Sequence, residues 1–171
     1  FNISAFRDED AVAVYQIIDS LSVHAFIGEG PLLDVGTGPG FPGLPLAIVF
    51  PELSVTLLDS SDKKLAFARQ MKAVLQLRNV TVVHRRIESF EPLMPYEQII
   101  SRAFTDLSGM ISATLPLLSE QGQILAMKGA RIDAEIADAA KTHQNCRIDV
   151  HKVPHVVDEH RVLAVVKRTH A

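Results

Sequence analysis

A glycine-rich loop follows a short apolar run and constrains the fold of this chain more than any other feature. Residues 34–43 read Asp-Val-Gly-Thr-Gly-Pro-Gly-Phe-Pro-Gly, and Leu32 and Leu33 precede them. Glycine loses the most conformational freedom on folding, so it is used where φ must be positive or where a ligand approaches the backbone closely. A strand that runs through such a loop into a helix favours binding of a nucleotide-like cofactor.

The residue types in the loop bear on which cofactor it binds. Gly38 to Gly43 matches the dinucleotide pattern G-x-G-x-x-G, which alone is a weak signal. Pro39 and Pro42 remove amide donors that a pyrophosphate would use. Asp34 places beside the loop a carboxylate that would repel a pyrophosphate and suits the cationic groups of S-adenosylmethionine. The predicted cofactor contacts in this region are Asp34, Gly36, Thr37, Gly38 and Gly40.

Two later segments supply further predicted cofactor contacts. Asp59 ends the second predicted strand, where its carboxylate and the neighbouring Ser60 are placed to meet the ribose hydroxyls of an adenosine. After the third strand, Ile87 is predicted to pack on the adenine ring, with an acceptor at Glu88 for the adenine amino group. Each acidic residue also has a purely structural interpretation: Asp34 as a loop cap, Asp59 as a turn cap and Glu88 as a solvated side chain.

Size and composition indicate a globular protein. The chain has 171 residues, of which 47% are hydrophobic, and folding is expected to bury about two-thirds of its unfolded surface. We expect a single domain over residues 1–171, with an N-terminal helical segment at 1–28, truncated at its start, and a catalytic core at 29–171. The formal charge of −3 argues against a protein that coats nucleic acid but permits a local basic face.

Other composition features exclude several classes of protein. Cys146 is the only cysteine, so an internal disulfide framework is excluded. The seven histidines lack the spacing of metal ligands, and no metal site is predicted. No apolar run approaches the roughly 20 residues that a membrane span requires. We therefore expect a cytoplasmic protein with no membrane partner.

Short apolar runs alternate with helical patterns along the chain, which predicts a mainly parallel sheet with helices on both faces. Strands are predicted at 31–35, 54–58, 80–84, 98–101, 123–128, 147–153 and 162–167. Helices are predicted at 10–24, 43–50, 61–77, 106–118 and 132–142. The last two strands are expected to form an antiparallel hairpin, and residues 121–122 a turn. The first helix is expected to bury a face with Val12, Tyr15, Ile18 and either Leu21 or Ser22.

Three separate motifs together resemble one known family. They are the glycine loop with Leu-Leu-Asp-Ser at 57–60, Ile-Ser-Arg-Ala-Phe at 100–104, and Met-Lys-Gly at 127–129. Over almost its whole length the chain resembles the bacterial 16S rRNA (guanine-N7) methyltransferases, also called glucose-inhibited division protein B. The resemblance implies the Rossmann-like fold of class I S-adenosylmethionine-dependent methyltransferases. Such a fold has a seven-stranded sheet with six parallel strands and an antiparallel C-terminal hairpin.

The same resemblance implies an activity and a partner. A methyl group passes from S-adenosylmethionine to N7 of the family's guanine-527, in the decoding-region loop of 16S rRNA. The product is S-adenosylhomocysteine, the partner is 16S rRNA or the small-subunit particle, and the enzyme is a monomer. The cofactor contacts that the resemblance assigns are Gly36, Phe41, Ile87, Glu88 and Arg102. One departure is Gln16, at a position where the family has histidine.

The chemistry of the target atom limits what catalysis needs. Guanine N7 has an exposed lone pair, so its methylation requires no general base and no catalytic residue is predicted. The remaining task is to hold N7 in line with the methyl–sulfur bond. The positioning candidates are Arg102 and Lys128, at the ends of the fourth and fifth strands. The structural alternative for Arg102 is a salt bridge, and the one for Lys128 is a solvated side chain. Phe104 is a candidate for base stacking or for the core.

Two other functions remain compatible with the residues alone. The G-x-G-x-x-G match also fits an NAD-dependent oxidoreductase with a Rossmann fold. The missing general base and the modest net charge also fit a non-catalytic RNA-binding module. With either RNA function, Arg85 and Arg86, which follow the third strand, are candidates to face the RNA.

Overall fold

One seven-stranded sheet forms the centre of the protein. The computed structural model describes residues 13–102, 104–129, 132–154 and 161–169. The strands are β1 Leu32–Val35, β2 Val55–Asp59, β3 Val80–His84, β4 Tyr96–Arg102, β5 Leu118–Lys128, β6 Cys146–Lys152 and β7 Val162–Arg168. The helices are α1 Asp19–Leu21, which continues a π-helical segment Ala13–Ile18, and α2 Gly43–Val49, α3 Asp62–Val74, α4 Leu107–Thr114 and α5 Ile132–Thr142.

The strand order is β3-β2-β1-β4-β5-β7-β6. The pairs from β3 to β5 are parallel, and β7 is antiparallel to both β5 and β6. Six strands therefore run in one direction, which confirms the predicted mainly parallel sheet with a C-terminal hairpin. The order reverses between β1 and β4, and ligands of open α/β sheets bind at the carboxyl ends of the strands beside such a reversal.

Helices cover both faces of the sheet, as predicted. Successive residues of a strand point to opposite faces, so Leu32 and Leu33 of β1, both fully buried, belong to different core clusters. Leu32 packs in the cluster that contains Leu46 of α2 and Ala68 of α3. Leu33 packs in the cluster of α4 and α5, which includes Ile111.

Two predicted boundaries are wrong for local reasons. Residues 121–122 do not form a turn before the fifth strand, because β5 already begins at Leu118. The register between β4 and β5 shifts between Tyr96 and Gln98, and the extra residues of β5 are absorbed there as an irregularity. The predicted helix 106–118 ends at Thr114, and Pro116 lies in a 3-10 turn that leads into β5.

The predicted apolar face of the first helix is wrong at Ile18, although Ser22, the alternative at its far end, is buried. Ile18 is 44% exposed, whereas Gln16 and Ser20 are buried. The segment Ala13–Ile18 is a π-helix, whose i→i+5 hydrogen bonds shift side chains out of the 3.6-residue phase on which the prediction rests. Val12 lies outside the described residues. In the described ranges, no helix has the length and apolar character to cross a membrane.

Candidate functional site

A cleft of ≈ 270 Å³ lies at the carboxyl ends of β1, β2 and β3. Its lining includes five of the predicted cofactor contacts: Gly36, Asp59, Ser60, Ile87 and Glu88. These residues come from three separate strand ends, and the parallel sheet brings them together. The remaining lining residues are Val35, Leu58, Lys64, Arg85, Arg86 and Phe104. Lys64 was not predicted as a site residue. Its position in the first turn of the helix that follows Asp59 could have indicated that it lies at the cleft.

The glycine loop uses its amide groups within the protein. The φ angles of Gly36, Gly38 and Gly40 are +67°, +59° and +112°, a region that side-chain-bearing residues rarely adopt. The amides of Gly36 and Thr37 donate to the Leu58 carbonyl, and those of Gly40 and Phe41 donate to the Thr37 carbonyl. The Gly38 amide donates to the Asp59 carboxylate, and the Gly43 amide donates to the Asp34 carboxylate. Pro39 and Pro42 have no amide hydrogen. The loop therefore does not present a row of free amide donors to a pyrophosphate.

Asp34 ties the two ends of the loop together. Its Oδ2 atom accepts hydrogen bonds from Thr37 Oγ1 at 2.6 Å and from the Gly43 amide at 2.7 Å. The side chain is fully buried, and Oδ1 has no hydrogen-bond partner in the part of the chain described. Burial raises the pKa of Asp34 to about 7. Asp34 does not line the cleft, so the described contacts match its interpretation as a loop cap, and its contact with the cofactor stays a prediction.

Asp59 joins the loop to the end of β2 and also faces the cleft. Its Oδ2 atom accepts from the Gly38 amide at 2.8 Å, and Oδ1 accepts from the Ser61 amide at 2.7 Å. The residue is only 7% exposed. A carboxylate oxygen can accept more than one hydrogen bond, so each oxygen retains capacity for a ligand hydroxyl. Asp59 therefore caps the following turn and remains available to the cleft.

Arg102 and Phe41 lie together but outside the lining of the cleft. The guanidinium carbon of Arg102 lies 5.7 Å from the centre of the Phe41 ring. Nη1 of Arg102 pairs with Asp19 at 3.1 Å, and Nη2 donates to Gln16 Oε1 at 2.5 Å. The salt-bridge alternative for Arg102 is thus realised. Gln16, the position that departs from the family pattern, is one of its two side-chain partners.

Lys128 is buried rather than solvated. Its Nζ atom pairs with Glu135 Oε2 at 2.7 Å and donates to the Thr105 carbonyl. The same Glu135 oxygen accepts from the Leu107 amide at 2.8 Å. Lys128 therefore fastens the end of β5 to α4 and α5. The structural alternative of a solvated Lys128 is wrong, and a positioning role for Lys128 stays a prediction.

No group of three or more His, Cys, Asp or Glu side chains in the described ranges is arranged to hold a metal ion.

Two solved methyltransferases superpose on this chain. The glycopeptide N-methyltransferase MtfA, complexed with S-adenosylmethionine, superposes with a TM-score of 0.75 at 14% identity, over 91% of this chain and 96% of that one. The ribosomal protein L11 methylase from Lactobacillus delbrueckii subsp. bulgaricus gives a TM-score of 0.69 at 17% identity, over 96% and 81%. These similarities confirm the predicted fold of the S-adenosylmethionine-dependent methyltransferases.

Curated relatives match nearly the whole chain. A ribosomal RNA small subunit methyltransferase G from Hydrogenovibrio crunogenus is 42% identical over 167 residues, which is 98% of this chain and 77% of that protein. The protein of the same name from Marinomonas sp. is 39% identical over 168 residues, covering 98% and 81%.

The model of one protein family matches residues 1–164, and its description is GidB, rRNA small subunit methyltransferase G. The match confirms the resemblance drawn from the glycine loop and the Ser-Arg-Ala-Phe motif, and with it the predicted enzyme class and S-adenosylmethionine as the cofactor. The chain belongs to the GidB family, the rRNA small subunit methyltransferase G enzymes.

Proposed function

We propose that this chain transfers the methyl group of S-adenosylmethionine to N7 of guanine-527 in the decoding-region loop of 16S rRNA. The observation that carries the proposal is the cleft at the carboxyl ends of β1, β2 and β3, where acceptors and an apolar wall meet beside the glycine loop. That edge is where open α/β sheets bind their ligands.

The chemistry of the cleft fits the adenosine part of the cofactor. The Asp59 carboxylate suits the two ribose hydroxyls, and Glu88 with the buried Ile87 suits the amino group and ring of adenine. Gly36 lets the Phe104 ring pack against the loop at the cleft, because a Cβ atom there would lie 2.9 Å from Cδ2 of Phe104. We assign the adenosine to this cleft on those grounds.

The methionine part of the cofactor is proposed to meet the group formed by Arg102 and Phe41. Arg102 has five N–H donors, and three of its hydrogen bonds go to Asp19, Gln16 and the Tyr15 carbonyl, which leaves donors for a ligand. A guanidinium with spare donors suits a carboxylate such as that of the cofactor.

The protein's catalytic contribution is orientation. When bound, S-adenosylmethionine supplies a methyl group on a sulfonium, which the N7 lone pair can attack without loss of a proton. The chain therefore needs to hold the guanine so that N7 is in line with the methyl–sulfur bond. Such orientation can lower the activation free energy of methyl transfer by several kcal/mol. Phe104, 36% exposed at the cleft, offers a ring face on which an unstacked base of the rRNA loop can stack.

We further propose that the enzyme works as a monomer in the cytoplasm, where the rRNA substrate is found. Small-subunit particles and free 16S rRNA are both candidate substrates. Tritiated S-adenosylmethionine with unmodified samples of each identifies the substrate by the label that the rRNA acquires. Absence of label from both would reject the proposed function.

The placement of the cofactor is tested by calorimetry with S-adenosylhomocysteine. Asp59→Asn replaces an acceptor oxygen by an amide donor, and we expect its affinity for S-adenosylhomocysteine to fall at least tenfold, about 1.4 kcal/mol. The matched control is Asp62→Asn, an exposed carboxylate three residues later that pairs with Arg69 at 2.6 Å. Equal affinities in the parent and both variants would remove Asp59 from the cofactor site.

A further inference from the structure

One edge of the sheet concentrates the positive charge of the chain. Residues 60–87, which form α3 and β3 with their flanking loops, contain seven of the 17 Lys and Arg residues and one acidic residue, Asp62. Their formal charge is +6, whereas that of the whole chain is −3. We call this surface the basic edge; its members are Lys63, Lys64, Arg69, Lys72, Arg78, Arg85 and Arg86.

The cations of the basic edge are largely unpaired. Arg69 forms an ion pair with Asp62, but none of the other six members forms a salt bridge with any residue in the described ranges. Several cations elsewhere are paired within the protein, for example Arg102, Lys128 and Arg161. Unpaired, mostly exposed cations on one surface of an acidic chain favour an anionic partner at that surface.

Helix α3 connects the cofactor cleft to a second groove. In its first turn Lys64 lines the cleft, together with Arg85 and Arg86. In its last turn Lys72 lines a groove of ≈ 570 Å³, together with Arg69 and Arg78. From Lys64 to Lys72 the helix rises by eight residues, so its cations extend for about 12 Å from the cleft. That length corresponds to several successive phosphates of a nucleic-acid strand.

We propose that the rRNA backbone lies along the basic edge and that the groove at Lys72 and Arg78 holds a phosphate remote from the target guanine. The proposal rests on the proposed function, since it names the surface on which that substrate is held. Phosphate contacts position a nucleic acid without reading its sequence. The groove therefore tethers the strand, while Lys64, Arg85 and Arg86 hold the part of the strand that lies beside the cofactor cleft.

A pair of matched double variants tests the groove. Lys72→Gln with Arg78→Gln removes two groove cations, and Lys141→Gln with Lys152→Gln removes two exposed lysines on α5 and β6. The affinity for the rRNA substrate that the parent enzyme methylates is measured from 50 to 200 mM KCl. We expect the groove variant to bind about tenfold more weakly at low salt and its salt slope to fall by about 2, one for each cation that no longer meets a phosphate. Its affinity for S-adenosylhomocysteine should equal that of the parent.

The outcomes separate the two proposals. Equal RNA affinity in the groove variant and the Lys141/Lys152 control would overturn the tether. Weaker binding with an unchanged salt slope would also overturn it, because the groove would then bind something other than phosphate, such as a protein of the particle. Failure of the parent enzyme to label any rRNA would reject the proposed function instead. That result comes from the labelling assay on the parent, so it is distinguishable from a loss of RNA affinity in the groove variant.

Discussion

The Nη1 atom of Arg102 lies 3.1 Å from the Oδ2 atom of Asp19, and this ion pair joins the end of β4 to α1. The other carboxylate oxygen of Asp19 lies 3.0 Å from Nε of Arg161, which precedes β7. The side chains of Arg102 and Asp19 are only 17% and 12% exposed. One carboxylate therefore fastens the N-terminal helical segment to the edge of the sheet where the predicted site lies.

Substitution of Asp19 should destabilise the fold. Asp19→Asn leaves two partly buried guanidinium groups without their counter-ion, and we expect a loss of about 2 kcal/mol in the free energy of unfolding. Urea denaturation measures the loss. The control is Asp149→Asn, whose partner Arg147 is 71% exposed and whose loss should be about 0.5 kcal/mol or less. Equal losses in the two variants would show that the Asp19 pairs do not stabilise the fold.

Arg102 and Arg161 share the same partner and so form a matched pair for activity. Arg102→Ala and Arg161→Ala each remove one ion pair with Asp19, but only Arg102 lies over Phe41 of the glycine loop. We expect Arg102→Ala to reduce the methylation rate at least tenfold and Arg161→Ala to reduce it by less than about threefold, consistent with a loss of transition-state orientation of about 1.4 kcal/mol or more in the first case only. Rates are compared at a temperature where both variants are folded. Similar rates in the two variants would assign Arg102 a purely structural role.

The buried carboxyl of Asp34 makes stability depend on pH. Burial raises its pKa from 3.8 to about 7 in the folded protein. Between these values the folded state holds a proton that the unfolded chain has lost, so this group favours the folded state at low pH and loses that contribution as pH rises through 7. The full shift corresponds to about 4 kcal/mol.

Asp34→Asn should remove this dependence. The amide oxygen can accept from Thr37 and Gly43 as Oδ2 does, and the side chain stays neutral at every pH. We expect the free energy of unfolding of the variant, relative to the parent, to rise by about 2–3 kcal/mol between pH 5 and pH 8. Urea denaturation at the two pH values provides the comparison. If the free energies of unfolding of variant and parent differ by the same amount at pH 5 and at pH 8, Asp34 is already ionised in the folded protein.

Gly40 should not tolerate a side chain. Its φ is +112°, and a Cβ atom would lie 2.3 Å from Cδ1 of the buried Leu44. We expect Gly40→Ala to cost about 2 kcal/mol of stability, since a strained φ and overpacking act together. Gly129→Ala is the control, because a Cβ atom there has no neighbour within 4 Å, and its cost should be within about 0.5 kcal/mol. Equal melting temperatures for the two variants would contradict the strained geometry of the loop.

The features that could be predicted from the sequence are those that neighbouring residues specify. The strand β1, the loop to Gly43 and the strand end at Asp59 follow from short apolar runs, glycines and turn residues, and the parallel sheet then brings the strand ends together. For this reason the cleft contains Gly36, Asp59 and Ile87 from three separate parts of the chain.

The features that were missed depend on partners distant in sequence. Arg102 meets Asp19 and Gln16 across 83 and 86 residues, and no local pattern specifies that contact. The polar side chain of Lys128 is buried because Glu135, on the next helix, compensates its charge. The π-helical segment at 13–18 also lacks a sequence period of its own, so the 3.6-residue rule assigned its buried face incorrectly.

The central claim is that this chain methylates N7 of guanine-527, and chemical mapping tests it most directly. N7-methylguanosine is reduced by borohydride, and aniline then cleaves the RNA chain at that nucleotide. Unmodified small subunits are incubated with the enzyme and S-adenosylmethionine, and cleavage is located by primer extension. We predict one new stop at guanine-527 that requires the cofactor. A stop at another guanine, or labelled rRNA without any new stop, would contradict the assignment of the target atom.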